Sequence, residues 1–225
     1  MATKRTGRKT PTTAEIQKEA GAKGAIIGGR VIHNDFDTES VVPDIAFVVY
    51  GLPAPQGSKK LVGPRRLVET SAALEPWRKA VRAQAKESIL HKEDWDTAID
   101  EEVMIRVVFT FPHSGASQKR GDEYHSIAPD LDKLQRAIGD AISPVPLKKG
   151  ITKGLSEAEA KKKRDELKAE ALEYCVLADD KYIVGWHSKK VYVDATSDAL
   201  HYPGAAIEVW RVSRFGNDYE GQFEE

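Results

Sequence analysis

Residues 103–142 read VMIRVVFTFPHSGASQKRGDEYHSIAPDLDKLQRAIGDAI, and their reading decides the fold. From Val103 to Phe111 the run is β-branched and alternating, which predicts a strand. Pro112 to Ala128 is polar and predicts a loop. Leu131, Leu134, Ile138 and Ile142 then recur at spacings of three and four, which predicts an amphipathic helix. Pro144 and Pro146 end it, because proline cannot continue a helix. A two-residue period giving way to a helical one predicts a helix laid on a sheet.

Working outward, Ile45–Tyr50 reads as a buried strand, stopped by the prolines and glycines of 51–57. Ala73–Leu90 reads as a helix whose apolar stripe is Trp77, Val81 and Ala85. Residues 156–174 read as a charged helix with a thin apolar side of Ala160, Leu167, Ala171 and Tyr174, which must dock on something. Tyr182–Val193, interrupted near Gly185, and Ala205–Val212 read as strands. The predicted class is α+β: a small mixed β-sheet with helices packed against it, and an inserted charged helix. The expected organisation is a mobile basic arm over 1–44, a domain over 45–212 with a helical insertion at 144–176, and an acidic tail over 213–225.

The chain has 34 basic and 35 acidic residues, so its net charge of −1 argues against coating DNA by bulk attraction. The charge is uneven, however. Lys59, Lys60, Arg65, Arg66, Arg78, Lys79, Arg82 and Lys86 crowd one stretch. They would form either a local basic face or ordinary solvated surface. No apolar run approaches the roughly 20 residues that span a bilayer. Cys175 is the single cysteine, which excludes an intrachain disulfide and a multi-cysteine zinc site. A cytoplasmic compartment is expected.

The sharpest chemical feature is Pro129-Asp130-Leu131-Asp132, where the loop enters the helix. In extended backbone, residues two apart point the same way, so Asp130 and Asp132 would converge. Paired carboxylates suit a hard divalent cation. They equally suit a helix start, where acids cap and complement the dipole. Asp179-Asp180, before the strand at Lys181, would add ligands if the sheet brings it close; alone it reads as a turn former. Lys133 and Arg136 flank the first pair and would neutralise charge on a phosphate; Arg136, four residues after Asp132, would equally form a plain (i, i+4) ion pair with it.

These pieces resemble the RusA-like Holliday junction resolvases. That family pairs Asp-x-Asp-Asn-x-x-Lys at a helix start with a downstream Asp-Asp before a strand. Here the segments are Pro129-Asp130-Leu131-Asp132-Lys133-Leu134-Gln135-Arg136 and Leu177-Ala178-Asp179-Asp180-Lys181-Tyr182-Ile183-Val184. The segment Gly51-Leu52-Pro53-Ala54-Pro55-Gln56-Gly57-Ser58-Lys59 is similar to phage-borne members, as is Val68-Glu69-Thr70-Ser71 leading to Pro76-Trp77-Arg78. The resemblance covers about residues 45–212. It implies a Mg2+-dependent endodeoxyribonuclease, with Mn2+ as substitute, that resolves four-way junctions by paired symmetric nicks. It further implies a homodimer, branched DNA as partner, and a bacterial or phage-infected host cell, with no membrane and no nucleotide cofactor. The implied metal ligands are Asp130, Asp132, Asp179 and Asp180; Asp130, Asp132, Asp180, Arg136 and Lys133 carry the implied catalysis. Two positions depart from the pattern: Lys133 stands at the family's asparagine and Arg136 at its lysine. Arginine keeps the charge but not the compact ammonium. The residues between the acidic motifs are also longer than is usual in the family.

The 51–59 segment fails the phosphate-loop pattern, having five residues between its glycines and Ser58 before Lys59. Gly57, Ser58, Lys59 and Lys60 are instead candidates for DNA backbone contact, as are Lys119 and Arg120; both groups would also serve as plain loops. His113 and His125 read as solvated loop residues, Trp77, Trp186 and Trp210 as core, and Cys175 as an inert part-buried thiol.

Overall fold

The computed structural model describes residues 42–57, 59–63, 66–69, 71–147 and 150–215. The predicted arm over 1–44 therefore lies outside the described residues up to 41, and the acidic tail from 216. The fold is α+β. The elements are β1 (Ile45–Tyr50), β2 (Lys59–Gly63), β3 (Arg66–Glu69), α1 (Leu74–Leu90), β4 (Val103–Phe111), α2 (Gly115–Arg120), α3 (Leu131–Ile142), α4 (Glu157–Glu173), β5 (Ile183–Tyr192) and β6 (Gly204–Arg211). A four-stranded sheet has the order β1-β6-β4-β5, with β4 and β5 parallel and the other pairings antiparallel. The parallel pair is possible because α3 and α4 fall between β4 and β5, providing the crossover that such a pair requires.

One face of the sheet carries the core. Ile105, Val107 and Phe109 of β4 lie beside Ile207 and Val209 of β6 and Phe47 and Val49 of β1. Against them pack Leu74, Trp77 and Val81 of α1 and Leu134, Ile138 and Ile142 of α3. Trp77 and Phe109 are wholly buried; truncating a core aromatic costs about 3–5 kcal/mol. Trp210 is also buried, and Trp186 packs at the core's edge. Cys175 is half-buried, and burial raises its pKa, which keeps it a thiol.

Several expectations are corrected. The loop over Pro112–Ala128 contains α2, capped by Ser114 through a capping box with Ser117. A hairpin of β2 and β3 occupies a stretch that the sequence reading left without strands. β5 is continuous; what reads as an interruption is a register shift opposite Val103 and Met104 that skips Val184. The domain limits also move by a few residues. Asp44 is buried, accepting hydrogen bonds from the Arg211 amide at 2.8 Å and pairing with Arg214 at 2.7 Å, so it belongs to the domain. Ser213 bonds Glu101 at 2.7 Å, so the domain extends past residue 212. No helix among the described residues is long and apolar enough to cross a membrane.

The charged helix α4 begins at a second capping box, Ser156 with Glu159. Of its own residues only Ala160 is buried among those described. Leu167 and Ala171 face a cavity of about 440 Å³, walled by Arg82 and Ala85 of α1 and Ala141 and Ile142 of α3.

The sheet's second face is polar at its centre. Arg106 bonds Asp198 at 2.8 Å and Glu208 at 3.1 Å, and Lys189 bonds Asp198 at 2.7 Å. Burial pushes the Glu208 pKa up despite Arg106, so this pocket is costly for charge. Removing one partner of a buried ion pair costs more than the pair gains, because the other is left uncompensated. Arg106→Ala is therefore expected to lower stability by about 3–5 kcal/mol. In urea unfolding the midpoint should fall with an unchanged slope; a midpoint within error of wild type would contradict a buried, coupled network.

Candidate active site

Helix α3 organises the acidic residues. Its buried face is Leu134, Ala137, Ile138, Ala141 and Ile142. Asp132, Arg136 and Asp140, spaced by four, fall on the opposite side. Gly139 lets this helix press onto β5: a Cβ there would lie 3.2 Å from Ile183 Cδ1. The carbonyl of Ile142 accepts hydrogen bonds from the amides of Val176 and Leu177 at 3.0 and 3.1 Å. These contacts bring the chain entering β5, which carries Asp179 and Asp180, alongside the helix.

Asp130 occupies the N-cap position of α3 but its side chain caps nothing. The carboxylate instead accepts from Lys133 Nζ at 2.6 Å. That hydrogen bond, Lys133's charge and the charge of Lys190 hold its pKa below the ordinary carboxylate value. Asp132 is exposed in the first helical turn. Arg136 is exposed as well. Among the described residues the two form no ion pair with each other or with any partner, so the plain (i, i+4) reading does not hold.

Asp179 behaves as the turn former: its carboxylate accepts from the Lys181 amide at 3.0 Å. Asp180 does not. Burial raises its pKa first, then the charge of Asp140, then the hydrogen bond and charge of Asp179. The second acidic segment therefore meets α3 at Asp140. Asp132 lies eight residues earlier, about 12 Å along the helix axis. Asp140 is also paired with Arg78 of α1. Among the described residues, no group of three or more His, Cys, Asp or Glu is gathered tightly enough to hold a metal ion.

The remaining candidates surround this helix. The Gln56 amide donates to the Lys133 carbonyl at 3.0 Å, so the 51–57 loop touches the acidic helix start. Gly57 ends that loop; Lys59 and Lys60 open β2; Ser58 lies outside the described residues. Lys119 and Arg120 end α2 on the surface, and Arg120 pairs with Asp122 at 2.5 Å.

His125 is a correction. It is 7% exposed and stacked on Phe111 with centroids 4.2 Å apart. Burial and then the charge of Lys190 lower its pKa, which keeps the ring neutral. His113 likewise stacks on Tyr192 at 4.4 Å. Both rings pin the 112–130 loop to the sheet. Asp140 and Lys190 carry no functional signal in the sequence, which offers Arg78 only as one of a basic stretch and part of the Pro76-Trp77-Arg78 segment. The first was legible only as a solvated acid eight residues past Asp132.

No protein-family model matches the chain, and no curated protein matches it.

The raised Asp180 pKa carries a stability consequence. A carboxylate whose folded pKa lies above its unfolded value contributes fully below the unfolded pKa. That contribution is lost as pH rises through the folded value. Asp180→Asn removes this loss. The group is largely solvated, so screening keeps the effect small. Tm should rise near neutral pH by on the order of 1 °C, with no difference below pH about 4. A Tm below wild type at neutral pH would contradict the crowding of Asp180 by Asp140 and Asp179.

Proposed function

We propose that this chain is a divalent-metal-dependent endodeoxyribonuclease of the RusA-like type, acting as a homodimer on four-way DNA junctions. The observation that carries this reading is the approach of two acidic segments far apart in sequence, α3 and residues 179–180, on one exposed surface. There Asp180 has a raised pKa, first through burial and then through the neighbouring charges of Asp140 and Asp179. Such crowding costs stability unless the residues serve a ligand, and a cation relieves it.

The donor set fits a hard cation: it is all carboxylate, with no thiol or imidazole among the acids of α3 and 179–180. Asp140 and Asp180 would hold one such ion; Asp130 and Asp132, about 12 Å away along the helix axis, would hold another rather than share it. When bound, Mg2+ supplies charge neutralisation at the scissile phosphate and lowers the pKa of water. Arg136, exposed between Asp132 and Asp140 and unpaired among the described residues, would neutralise a phosphate oxygen. The Gln56–Lys133 contact would bring the start of the β2–β3 hairpin, with Lys59 and Lys60, toward the same DNA backbone. A two-fold dimer suits a junction of approximate two-fold symmetry, giving paired nicks on opposite strands. Recognition would rest on shape and backbone charge, and binding would weaken with salt.

One observation favours a second reading. The Lys133 ammonium sits on Asp130, where a metal ligand would have to be released. A junction-binding protein without turnover would tolerate that pairing. A nuclease acting on other branched or flapped DNA is the neighbouring alternative.

A Mg2+-titrated cleavage assay with a labelled four-way junction, a flap and a linear duplex separates these. The nuclease reading expects symmetric nicks on the junction, at least about 100-fold slower in Asp180→Asn and in Asp132→Asn. Tight, Mg2+-insensitive binding without cuts would establish the binding protein, and faster cutting of flaps would establish the neighbouring activity.

A further inference from the structure

The acidic helix start is held by a residue of β5, at the end of the parallel pair where the chain leaves β4. Residues 126–129 lead into Asp130 and lie outside helix and strand. Among the described residues they make no backbone–backbone hydrogen bond. The His125 ring hydrogen-bonds the Ile127 backbone, and two further carbonyl bonds come from Lys190 of β5. Its Nζ donates to the carbonyl of Ile127 at 2.7 Å and to the carbonyl of Pro129 at 2.7 Å. The backbone of the same residue ties the loop a second time, since the Lys190 carbonyl accepts from the His125 amide at 3.0 Å. The next residues continue the grip: Val191 bridges Tyr124, and the Tyr192 amide donates to the Glu123 carbonyl at 3.0 Å.

Lys190 shares the core face of β5 with Trp186, four residues before it, and Tyr192, two residues after it, by the strand's alternation. Its stem thus starts from rigid sheet, and its ammonium ends beneath the helix start. The Ile127 and Pro129 carbonyls point at one donor. Both carbonyls lie just before Asp130, and losing their shared donor would free that segment to turn. Directions of Asp130 and Asp132 are set by this segment, because Asp130 is still extended backbone and the helix begins one residue later.

We propose that Lys190 is a positioning residue: its ammonium fixes the 127–129 backbone and thereby aims Asp130 and Asp132. It touches neither substrate nor reacting atoms. The catalytic part of this role rests on the nuclease reading above; the structural part does not. The functional logic is that of residues behind a metal's direct ligands, whose loss costs about 10- to 100-fold in metal affinity or activity.

The test compares full-length wild type with Lys190→Met, which keeps the stem and removes the donors, and Lys190→Arg, which keeps them. Lys168→Met, on the exposed surface of α4, controls for loss of one positive charge. Amide hydrogen exchange over residues 126–132 and the affinity for Mn2+ alone are measured beside junction cleavage. The expected result for Lys190→Met is exchange at least about tenfold faster in that segment, with Mn2+ affinity down about 10- to 100-fold. The kcat should fall by a similar factor while KM for DNA stays near wild type. Lys190→Arg should recover most of both, and Lys168→Met should match wild type. Unchanged exchange in Lys190→Met overturns the latch, whatever the activity. Faster exchange with unaltered Mn2+ affinity overturns the positioning role. Absence of cleavage by the wild type itself sinks the nuclease reading alone, since exchange and Mn2+ affinity still decide the role of Lys190.

Discussion

The close approach of α3 to β5 is the constraint on which the candidate site depends. It is set by a missing side chain. Gly139 faces Ile183 at a distance that any Cβ would bring to 3.2 Å. A larger residue there would push against the Ile183 side-chain tip, which would have to give by a few tenths of an ångström. The helix's other end is fixed by different means, the Lys190 ammonium under Ile127 and Pro129. One strand therefore positions both ends of one helix. The site's acids are carried by elements that pack as a single body with the core of Trp77, Phe109 and Ile138.

Electrostatics divides the acids into two groups along that helix. At the N-terminal end, Asp130 is compensated by Lys133 and Lys190, and its pKa is lowered. At the other end, Asp140 is compensated by Arg78, and Asp180 is left crowded with a raised pKa. Between them stands Arg136. A helix surface with this order, acid, base, acid, has little reason to exist for stability, since exposed ion pairs contribute at most about 1 kcal/mol and Asp180 detracts. Local rules are broken most often where function requires it. Lys133 and Arg136, the two positions that differ from the RusA-like motif this sequence resembles, fall inside this arrangement. Lys133 takes up Asp130, while Arg136 is left unpaired among the described residues.

Most of the architecture was legible because it follows from periodicity. The strand Val103–Phe111 and the helices over 74–90, 131–142 and 157–173 each have an apolar pattern, or a capping box and helix-forming composition, that points one way. The β2–β3 hairpin was not legible, as its strands are short and carry Lys, Arg and Gly rather than alternating apolar residues. The site was legible in part. Asp130, Asp132, Asp179 and Asp180 stand out as pairs, and pairs attract attention. Asp140 is a lone acid in a helix, and nothing but the packing at Gly139 gives it a partner. Lys190 follows another lysine in a strand, and only the sheet's alternation sends one of the two to the core face and the other to Asp198. His125 reads as polar loop because its burial depends on stacking against Phe111, a contact made across the sheet's end.

The central claim is that the acids of α3 and the acids before β5 share a cation. The most direct measurement is a crystal structure soaked in Mn2+, read by anomalous scattering. The account predicts an ion coordinated by the Asp180 carboxylate together with at least one carboxylate of α3, with Lys133 withdrawn from Asp130 if that residue is among the ligands. An ion bound elsewhere, or no ion at saturating Mn2+ with Asp180 and the α3 acids still held apart, would contradict it.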